Sequence, residues 1–264
     1  MKVSHTSFEV TDGVGVITLN RPEVLNALLL SQADFLAGLF EELSSRDDVR
    51  CVLITGAGGS FCSGVDIMDA QREPDEHPSR SELMTPMSSF GRLALAMFNI
   101  NCPVVCSIQG VASGVGLSIA VASDRRFADS SARMGAVWMK RAFQPDGGIT
   151  YTLPRVVGVS NALHMLSTGE MFPAEEAVRL GLIDELVEGG DVLDAAMTYS
   201  KRLADGPSVM MGLTRRAVYD GLNGSLEDAI MREAWGISVA PKTQDVKEGI
   251  RAWLKKRSPE FTGR

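Results

Sequence analysis

The chain has 264 residues, of which 45% are hydrophobic and 22% charged, and its formal net charge is -7. This length and composition are typical of a globular protein with a sizeable core and exclude a collagen-like or largely disordered chain. The negative charge argues against general nucleic-acid binding, because a phosphate backbone would be repelled. No apolar run reaches the roughly 20 residues that a membrane-spanning helix needs, so no membrane partner is expected.

The sequence predicts a reducing compartment and offers no metal site. Its four cysteines occur without an apolar secretory stretch among the first ten residues, so we expect a cytoplasmic protein with free thiols. The three histidines are far apart and lie outside the glycine-rich segments described below, which argues against a zinc centre or a nucleophile–histidine pair. We therefore expect neither a metal nor a redox cofactor.

The first part of the chain predicts a hairpin, then a helix and a buried strand. Strand patterning on both sides of the turn signal Asp12-Gly13 predicts that residues 7–10 pair with residues 15–20. Apolar residues at helical spacing follow and predict an amphipathic helix. The apolar run at 51–55 is typical of a strand buried on both faces, and it ends in a glycine turn.

The same order of buried strand, glycine turn and helix occurs again further along. Val104–Ile108 predicts a second buried strand; before it, a charged segment with prolines at 68–80 predicts a loop and 83–100 predicts a helix. This alternation predicts an α/β fold with parallel sheet character. Beyond residue 159 the pattern is almost wholly helical. We therefore divide the chain into a core domain, 1–200, and a C-terminal helical subdomain, 201–264, which makes partner contacts.

The two glycine turns are the first candidate elements of an active site. The segments 54–67 and 107–120 each lead from a strand through glycines and serines into a helix, which leaves free backbone N–H groups at the helix start. Two such groups that converge on one oxygen stabilise negative charge as an oxyanion hole. The alternative is that the glycines only allow tight packing of strand and helix. Neither segment matches a phosphate-binding loop.

Five segments in register resemble the enoyl-CoA hydratase/isomerase (crotonase) family over nearly the whole chain. They are ITLNRPEVLNAL (17–28), LITGAGGSFCSGVDI (53–67), PVVCSIQGVASGVGLSIAVASD (103–124), QPDGGITYTLPRVVG (144–158) and EGIRAWLKKRSPEFTG (248–263). The resemblance implies a crotonase (ClpP-like) spiral of ββα units with C-terminal helices, assembled as a homotrimer or as a homohexamer of two trimers. It also implies an acyl-CoA substrate, so coenzyme A is part of the substrate and no separate cofactor is expected.

The resemblance assigns roles to individual residues. It implies that the backbone N–H groups of Ser63 and Val115 form the oxyanion hole, that Asp66 and Ile67 line the coenzyme A channel, and that Lys256 of a neighbouring subunit meets the coenzyme's phosphates. A solvated helix end is the alternative for Lys256. Arg21 belongs to a shared segment as well, where it either positions the coenzyme or stabilises a turn.

The chain departs from the hydratases of this family at two positions. Those hydratases use two glutamates, and the matching positions here are Ser118 and Trp138. Hydration requires one group to activate water and another to deliver a proton, so the loss of both carboxylates argues against simple hydratase activity. We place Ser118, Trp138 and Phe143 in the substrate pocket, with core packing as the alternative for Trp138.

Asp146, in the sequence Pro-Asp-Gly-Gly, is the remaining candidate acid/base. Taken alone, this sequence is also a common turn, and Asp is a favoured helix cap. Isomerases of the family that act on enoyl-CoA or on the ring of phenylacetyl-CoA derivatives carry their catalytic aspartate at this position. The resemblance therefore favours an isomerase in which Asp146 moves a proton, with a pKa raised by burial against Trp138, Phe143 and Ile149.

Three other functions stay open at the level of sequence. The 4-chlorobenzoyl-CoA dehalogenases of the family pair a tryptophan and an aspartate at the positions of Trp138 and Asp146, and there the aspartate is a nucleophile. A hydratase with an altered active site is the second alternative. The third is a non-catalytic acyl-CoA binding protein, which the absence of both hydratase glutamates permits.

Overall fold

The computed structural model describes residues 2, 3, 5–70 and 87–264. Most of the loop predicted at 68–80 and the first residues of the helix predicted at 83–100 lie outside the described residues. Within the described part of the chain, strands and helices alternate and then give way to helices alone. The predicted α/β class is therefore confirmed.

The N-terminal hairpin forms as predicted. Strands β2 (Thr6–Thr11) and β3 (Val14–Leu19) pair antiparallel across Asp12 and Gly13, whose φ angles of 51° and 76° suit the tight turns that match strand twist. The described strands are β1 (Lys2–Val3), β2 (Thr6–Thr11), β3 (Val14–Leu19), β4 (Cys51–Gly56), β5 (Val104–Ile108), β6 (Val111–Ser113), β7 (Arg125–Asp129), β8 (Arg133–Gly135), β9 (Met171–Pro173) and β10 (Glu185–Val187).

Seven of the described strands form one sheet in the order β1-β2-β3-β4-β5-β7-β10, in which the pairs from β3 to β10 are parallel. The predicted strands at 51–55 and Val104–Ile108 are its centre, and every residue of β5 is buried. A smaller sheet, β6-β8-β9, stands beside it. A parallel centre buried on both faces explains the continuous apolar runs in the sequence.

Helices cover both faces of the large sheet. The described α-helices are α1 (Leu30–Leu43), α2 (Ile67–Ala70), α3 (Ser89–Asn99), α4 (Val115–Ala122), α5 (Ile149–Val157), α6 (Val159–Thr168), α7 (Ala174–Leu180), α8 (Val192–Ala204), α9 (Ser208–Gly221), α10 (Leu226–Val239) and α11 (Gln244–Leu254). Short 3-10 helices occupy Pro22–Val24, Val137–Arg141 and Ala240–Lys242.

Successive side chains of a strand point to opposite faces of the sheet, so they show which helices pack on which face. In β4, Val52 and Ile54 belong to the main core with α1, α3 and α4, whereas Cys51 and Leu53 pack with the apolar side of α8. The predicted domain boundary at residue 200 falls inside α8, a helix that packs on the sheet. Any boundary between a core and a helical subdomain therefore lies after Ala204, and the division itself stays a prediction.

The last helices are anchored by one buried arginine and leave apolar side chains at the surface. Arg215 of α9 bonds the Asp124 carboxylate at 2.8 Å and the carbonyl oxygen of Phe98 at 2.7 Å. In contrast, α10 buries none of its residues, and Met231 and Ile237 are 69% and 72% exposed. None of the described helices combines the length and apolar composition that a membrane span requires.

Candidate active site

The two glycine turns identified in the sequence lie against each other. The Ser113 hydroxyl donates to the carbonyl of Ser63 at 2.8 Å, and the Ser113 N–H donates to the carbonyl of Cys62 at 2.9 Å. Gly64 and Gly114, at the centres of the turns, have φ angles of 112° and 56°, and a methyl carbon added to Gly114 would lie 3.5 Å from Gly64 Cα. The N–H groups of the residues after these glycines, Val65 and Val115, therefore lie close together.

The residue after each glycine carries an N–H group without an acceptor among the described residues. At the first turn, Leu28 bonds to the Gly64 carbonyl and the Asp66 N–H, so the N–H of Val65 points the opposite way. At the second turn, Val115 is the first residue of α4, and a first helical N–H has no intrahelical partner. Val65 and Val115 both line the cavity described below.

The prediction of Ser63 as an oxyanion donor is wrong. Its N–H already donates to the carbonyl of Leu25 at 2.9 Å, and its hydroxyl donates to the carbonyl of Val24 at 3.1 Å. The donor available at this turn is Val65, two residues further on. Val115, the other predicted donor, has its N–H free for a ligand among the described residues.

A cavity of about 280 Å³ lies in front of these two N–H groups. Its walls include both glycine turns together with Asp66, Ile67, Trp138 and Phe143. Two aromatic side chains and a pair of unpaired donors suit a ligand with an apolar body and one polarisable oxygen. Ser118, which we expected in this pocket, does not line it and lies instead beside a void of about 10 Å³.

The Asp146 carboxylate is bound to the wall of the cavity through Trp138. The buried indole of Trp138 donates from Nε1 to Asp146 Oδ1 at 3.0 Å. Burial raises the pKa of Asp146 as predicted, and the hydrogen bond from Trp138 opposes this shift because it favours the ionised form. Phe143 is 48% exposed, whereas Trp138, which bonds the carboxylate, is buried. Asp146 is thus half-buried, and one of its two carboxylate oxygens, Oδ1, accepts a hydrogen bond from Trp138.

Two residues predicted to bind coenzyme A pair with each other. Arg21 Nη2 lies 2.9 Å from Asp66 Oδ2, and Arg21 Nη1 donates to the carbonyl of Ala27 at 2.7 Å. The Arg21 hydrogen bond holds the pKa of Asp66 below its usual range. Asp66 and Ile67 line the cavity, whereas Arg21 secures the turn that carries Val65. The structure therefore favours the turn-stabilising role of Arg21.

Two other basic residues, Lys256 and Arg141, differ in their position relative to the cavity. Lys256 is exposed beyond the end of α11 and lies outside the cavity wall, so its predicted role stays a prediction. Arg141 lines the cavity and was missed, because nothing in the sequence around it marks a pocket residue. Among the described residues, no cluster of three or more metal-ligating side chains occurs.

Replacement of Trp138 by Phe removes the indole donor and keeps most of the apolar wall. We expect the pKa of Asp146 to rise further, since burial would remain while the hydrogen bond to the ionised form is lost. A ¹³C NMR titration of the aspartate side-chain carboxyls measures this shift. The control is Trp253→Phe, at a side chain that is 78% exposed. An unchanged Asp146 midpoint in Trp138→Phe would contradict the assigned hydrogen bond.

Comparisons with known proteins agree with this geometry. The family model for enoyl-CoA hydratase/isomerase matches residues 9–264. A 1,2-epoxyphenylacetyl-CoA isomerase of Escherichia coli (strain K12) is 33% identical over 255 residues, 97% of each chain. An (E)-benzylidenesuccinyl-CoA hydratase of Thauera aromatica is 34% identical over 260 residues, 97% of this chain and 98% of the relative.

The fold has solved counterparts as well. The crystal structure of an enoyl-CoA hydratase from Bacillus anthracis matches with a TM-score of 0.90 at 27% sequence identity, covering 99% of this chain and 100% of that one. This match confirms the crotonase fold that the sequence segments implied. With the family match over nearly all of its length, the chain belongs to the enoyl-CoA hydratase/isomerase family.

Proposed function

We propose that this protein isomerises an enoyl-CoA or aryl-acyl-CoA thioester through an enolate, with Asp146 as the acid/base. The observation that carries the proposal is the half-buried Asp146 carboxylate, held by Trp138 beside a cavity into which two unpaired N–H groups face. We infer a thioester substrate from membership of a family that acts on acyl-CoA. Trp138 and Phe143 in the cavity wall favour an acyl group with an apolar or aromatic body.

The two N–H groups would bind the thioester oxygen. Removal of a proton from the carbon next to a thioester places negative charge on that oxygen, and the N–H groups of Val65 and Val115 are preorganised to receive it. A single donor of this kind contributes about 3 to 4 kcal/mol of transition-state stabilisation. The positive end of the α4 dipole lies behind Val115 and adds to the effect.

A single carboxylate is sufficient for the proton transfer. Asp146 takes a proton from one carbon of the acyl chain, the electron pair moves into the enolate, and the same proton returns to another carbon as the double bond shifts. No atom is gained or lost. A raised pKa makes Asp146 a stronger base once ionised, which favours the first proton transfer. The hydrogen bond from Trp138 opposes the rise, and so favours the return of the proton in the second transfer.

Hydration has less support at this site. Apart from Asp146 beside it, the carboxylate among the described residues at the cavity wall is that of Asp66, which is bonded to Arg21. A hydratase would need a second group to activate water. The relatives carry both isomerase and hydratase names, so their names favour neither reaction. The bond from Trp138 to Asp146 would equally orient a nucleophile, which keeps attack on an aromatic ring as the second candidate.

We also propose that the protein is a homotrimer or homohexamer that binds coenzyme A across subunits, with Lys256 of one copy facing the cavity of another. Trp253 and Leu254 of α11 are 78% and 68% exposed, and apolar side chains also cover α10, which a second copy would bury. Light scattering should give three or six times the 28.4 kDa chain mass. A monomer in solution would contradict this. The buried, free cysteines support the predicted cytoplasmic setting.

The Asp146→Asn variant tests the proposed reaction. We expect the purified protein to move the double bond of 3-enoyl-CoA to the 2 position, and the variant to lose about 10² to 10⁴-fold in rate, because the amide cannot carry the proton. Asp205→Asn, at an exposed position after α8, is the matched control and should keep the wild-type rate.

Each rival function has its own outcome in this experiment. Tight acyl-CoA binding without turnover in either protein would point to a non-catalytic binder. Addition of water to 2-enoyl-CoA that survives in Asp146→Asn would point to a hydratase. Release of halide from a halogenated benzoyl-CoA, lost in the variant, would identify Asp146 as a nucleophile.

A further inference from the structure

Ser118 makes an unusual contact for a serine inside a helix. Its side chain is 3% exposed, and its hydroxyl donates to the backbone carbonyl of Asp146 at 3.1 Å. A serine within a helix commonly bonds the carbonyl four residues earlier, which here is Gly114, the acceptor of the Ser118 N–H. The hydroxyl instead reaches across to the turn that carries Asp146. This contact joins two separate parts of the site.

The turn also rests directly on Ser118. Gly147 has a φ of 65°, and a methyl carbon added there would lie 3.0 Å from Ser118 Cβ and 3.1 Å from its Oγ. A side chain longer than serine at 118 would meet the backbone of this turn. The contact between α4 and the Asp146 turn is therefore made by two small residues, Ser118 on the helix and Gly147 on the turn.

The space behind this contact leaves little room for water. The adjoining void of about 10 Å³ is bounded by Phe90, Leu93 and Met97 of α3 as well as by Ser118 and Gly147. That volume is at the lower limit for a single water molecule. The Ser118 hydroxyl at its edge already donates to Asp146. The void next to Ser118 and Gly147 therefore offers little room for a water that could be activated.

We propose that Ser118 is a positioning residue that locks the Asp146 turn onto α4 and so commits the site to proton transfer by one carboxylate. The proposal rests on the proposed role of Asp146. Ser118 lies three residues after Val115 in the same helix, a rise of about 4.5 Å. One rigid helix thus presents the thioester donor at its first residue and fixes the acid/base turn one turn later.

The test is Ser118→Ala, which removes the hydroxyl and keeps the Cβ contact with Gly147. The matched control is Ser123→Ala. Ser123 lies at the end of the same helix and is buried, and its hydroxyl donates at 3.0 Å to the Ile119 carbonyl within that helix. Its contacts do not include the Asp146 turn. Both variants lose one buried hydroxyl, and that of Ser123 also contacts Cys106 Sγ at 2.9 Å, so a general loss of stability would appear in the control as well.

Two readouts separate positioning from a merely structural role. In steady-state kinetics we expect Ser118→Ala to lower kcat for isomerisation roughly tenfold, the effect of one hydrogen bond, with KM little changed. The acidic limb of its pH–rate profile should also shift. Ser123→Ala should match the wild type in kcat, KM and pH profile.

The second readout needs no turnover. The chain has three tryptophans, and the indole N–H signal of Trp138 in a ¹H–¹⁵N spectrum reports its bond to Asp146. Its assignment follows from its loss in Trp138→Phe. We expect Ser118→Ala to move this signal and its pH midpoint, and Ser123→Ala to leave both unchanged.

The outcomes distinguish this proposal from the proposed function. Absence of isomerisation in the wild type would overturn the function, and the indole signal would still decide the role of Ser118. A Ser118→Ala variant with wild-type kcat, pH profile and indole signal would overturn the positioning role. Equal changes in Ser118→Ala and Ser123→Ala would overturn it as well, since they would show only a loss of packing.

Discussion

The close approach of two glycine turns is the constraint on which the site depends. Gly64 and Gly114 meet backbone to backbone, and a methyl carbon added to Gly116 would lie 2.2 Å from the carbonyl oxygen of Cys62. A side chain at Gly116 would push the turns apart, and the positive φ angles of Gly64 and Gly114 disfavour any other residue there. Because the turns touch, the N–H groups of Val65 and Val115 face one cavity and can act on one oxygen.

The surrounding polar contacts all serve to hold this approach. Ser113 bonds the first turn from the second, and the ion pair of Arg21 with Asp66 fixes the chain on the far side of Val65. Both contacts are buried or nearly so, where charges and hydrogen bonds are costly to leave unpaired. Catalysis by preorganised donors requires such rigidity, since any reorganisation during the reaction would reduce the gain.

The turn that carries Asp146, the proposed acid/base, contacts the same helix that begins with the proposed donor Val115. Helix α4 begins at Val115 and contacts the Asp146 turn through Ser118, while the Trp138 indole donates a hydrogen bond to the carboxylate. The opposing effects on the Asp146 pKa follow from this arrangement: burial disfavours the charge and the indole N–H favours it. A carboxylate under both effects suits the two proton transfers that we propose for Asp146.

The sequence predicted the elements well and the directions of individual groups less well. Hairpin, central strands and distal helices followed from turn signals and periodicity, and the position of Asp146 beside Trp138 followed from family resemblance. The choice of Ser63 failed because its N–H already donates to the carbonyl of Leu25, a residue far away in the sequence. The Arg21–Asp66 pair and the contact of Ser118 are tertiary as well, and no local pattern encodes them.

The most direct test of the account is the removal of one N–H group without a change of fold. Val115 is the first residue of α4, where proline is well tolerated because its fixed φ suits a helix start. We expect Val115→Pro to remain folded and to lose about 100- to 1,000-fold in kcat, and Val115→Ala, which keeps the N–H, to stay near the wild-type rate. A folded Val115→Pro protein with the kcat of Val115→Ala would contradict the oxyanion hole assigned to these turns.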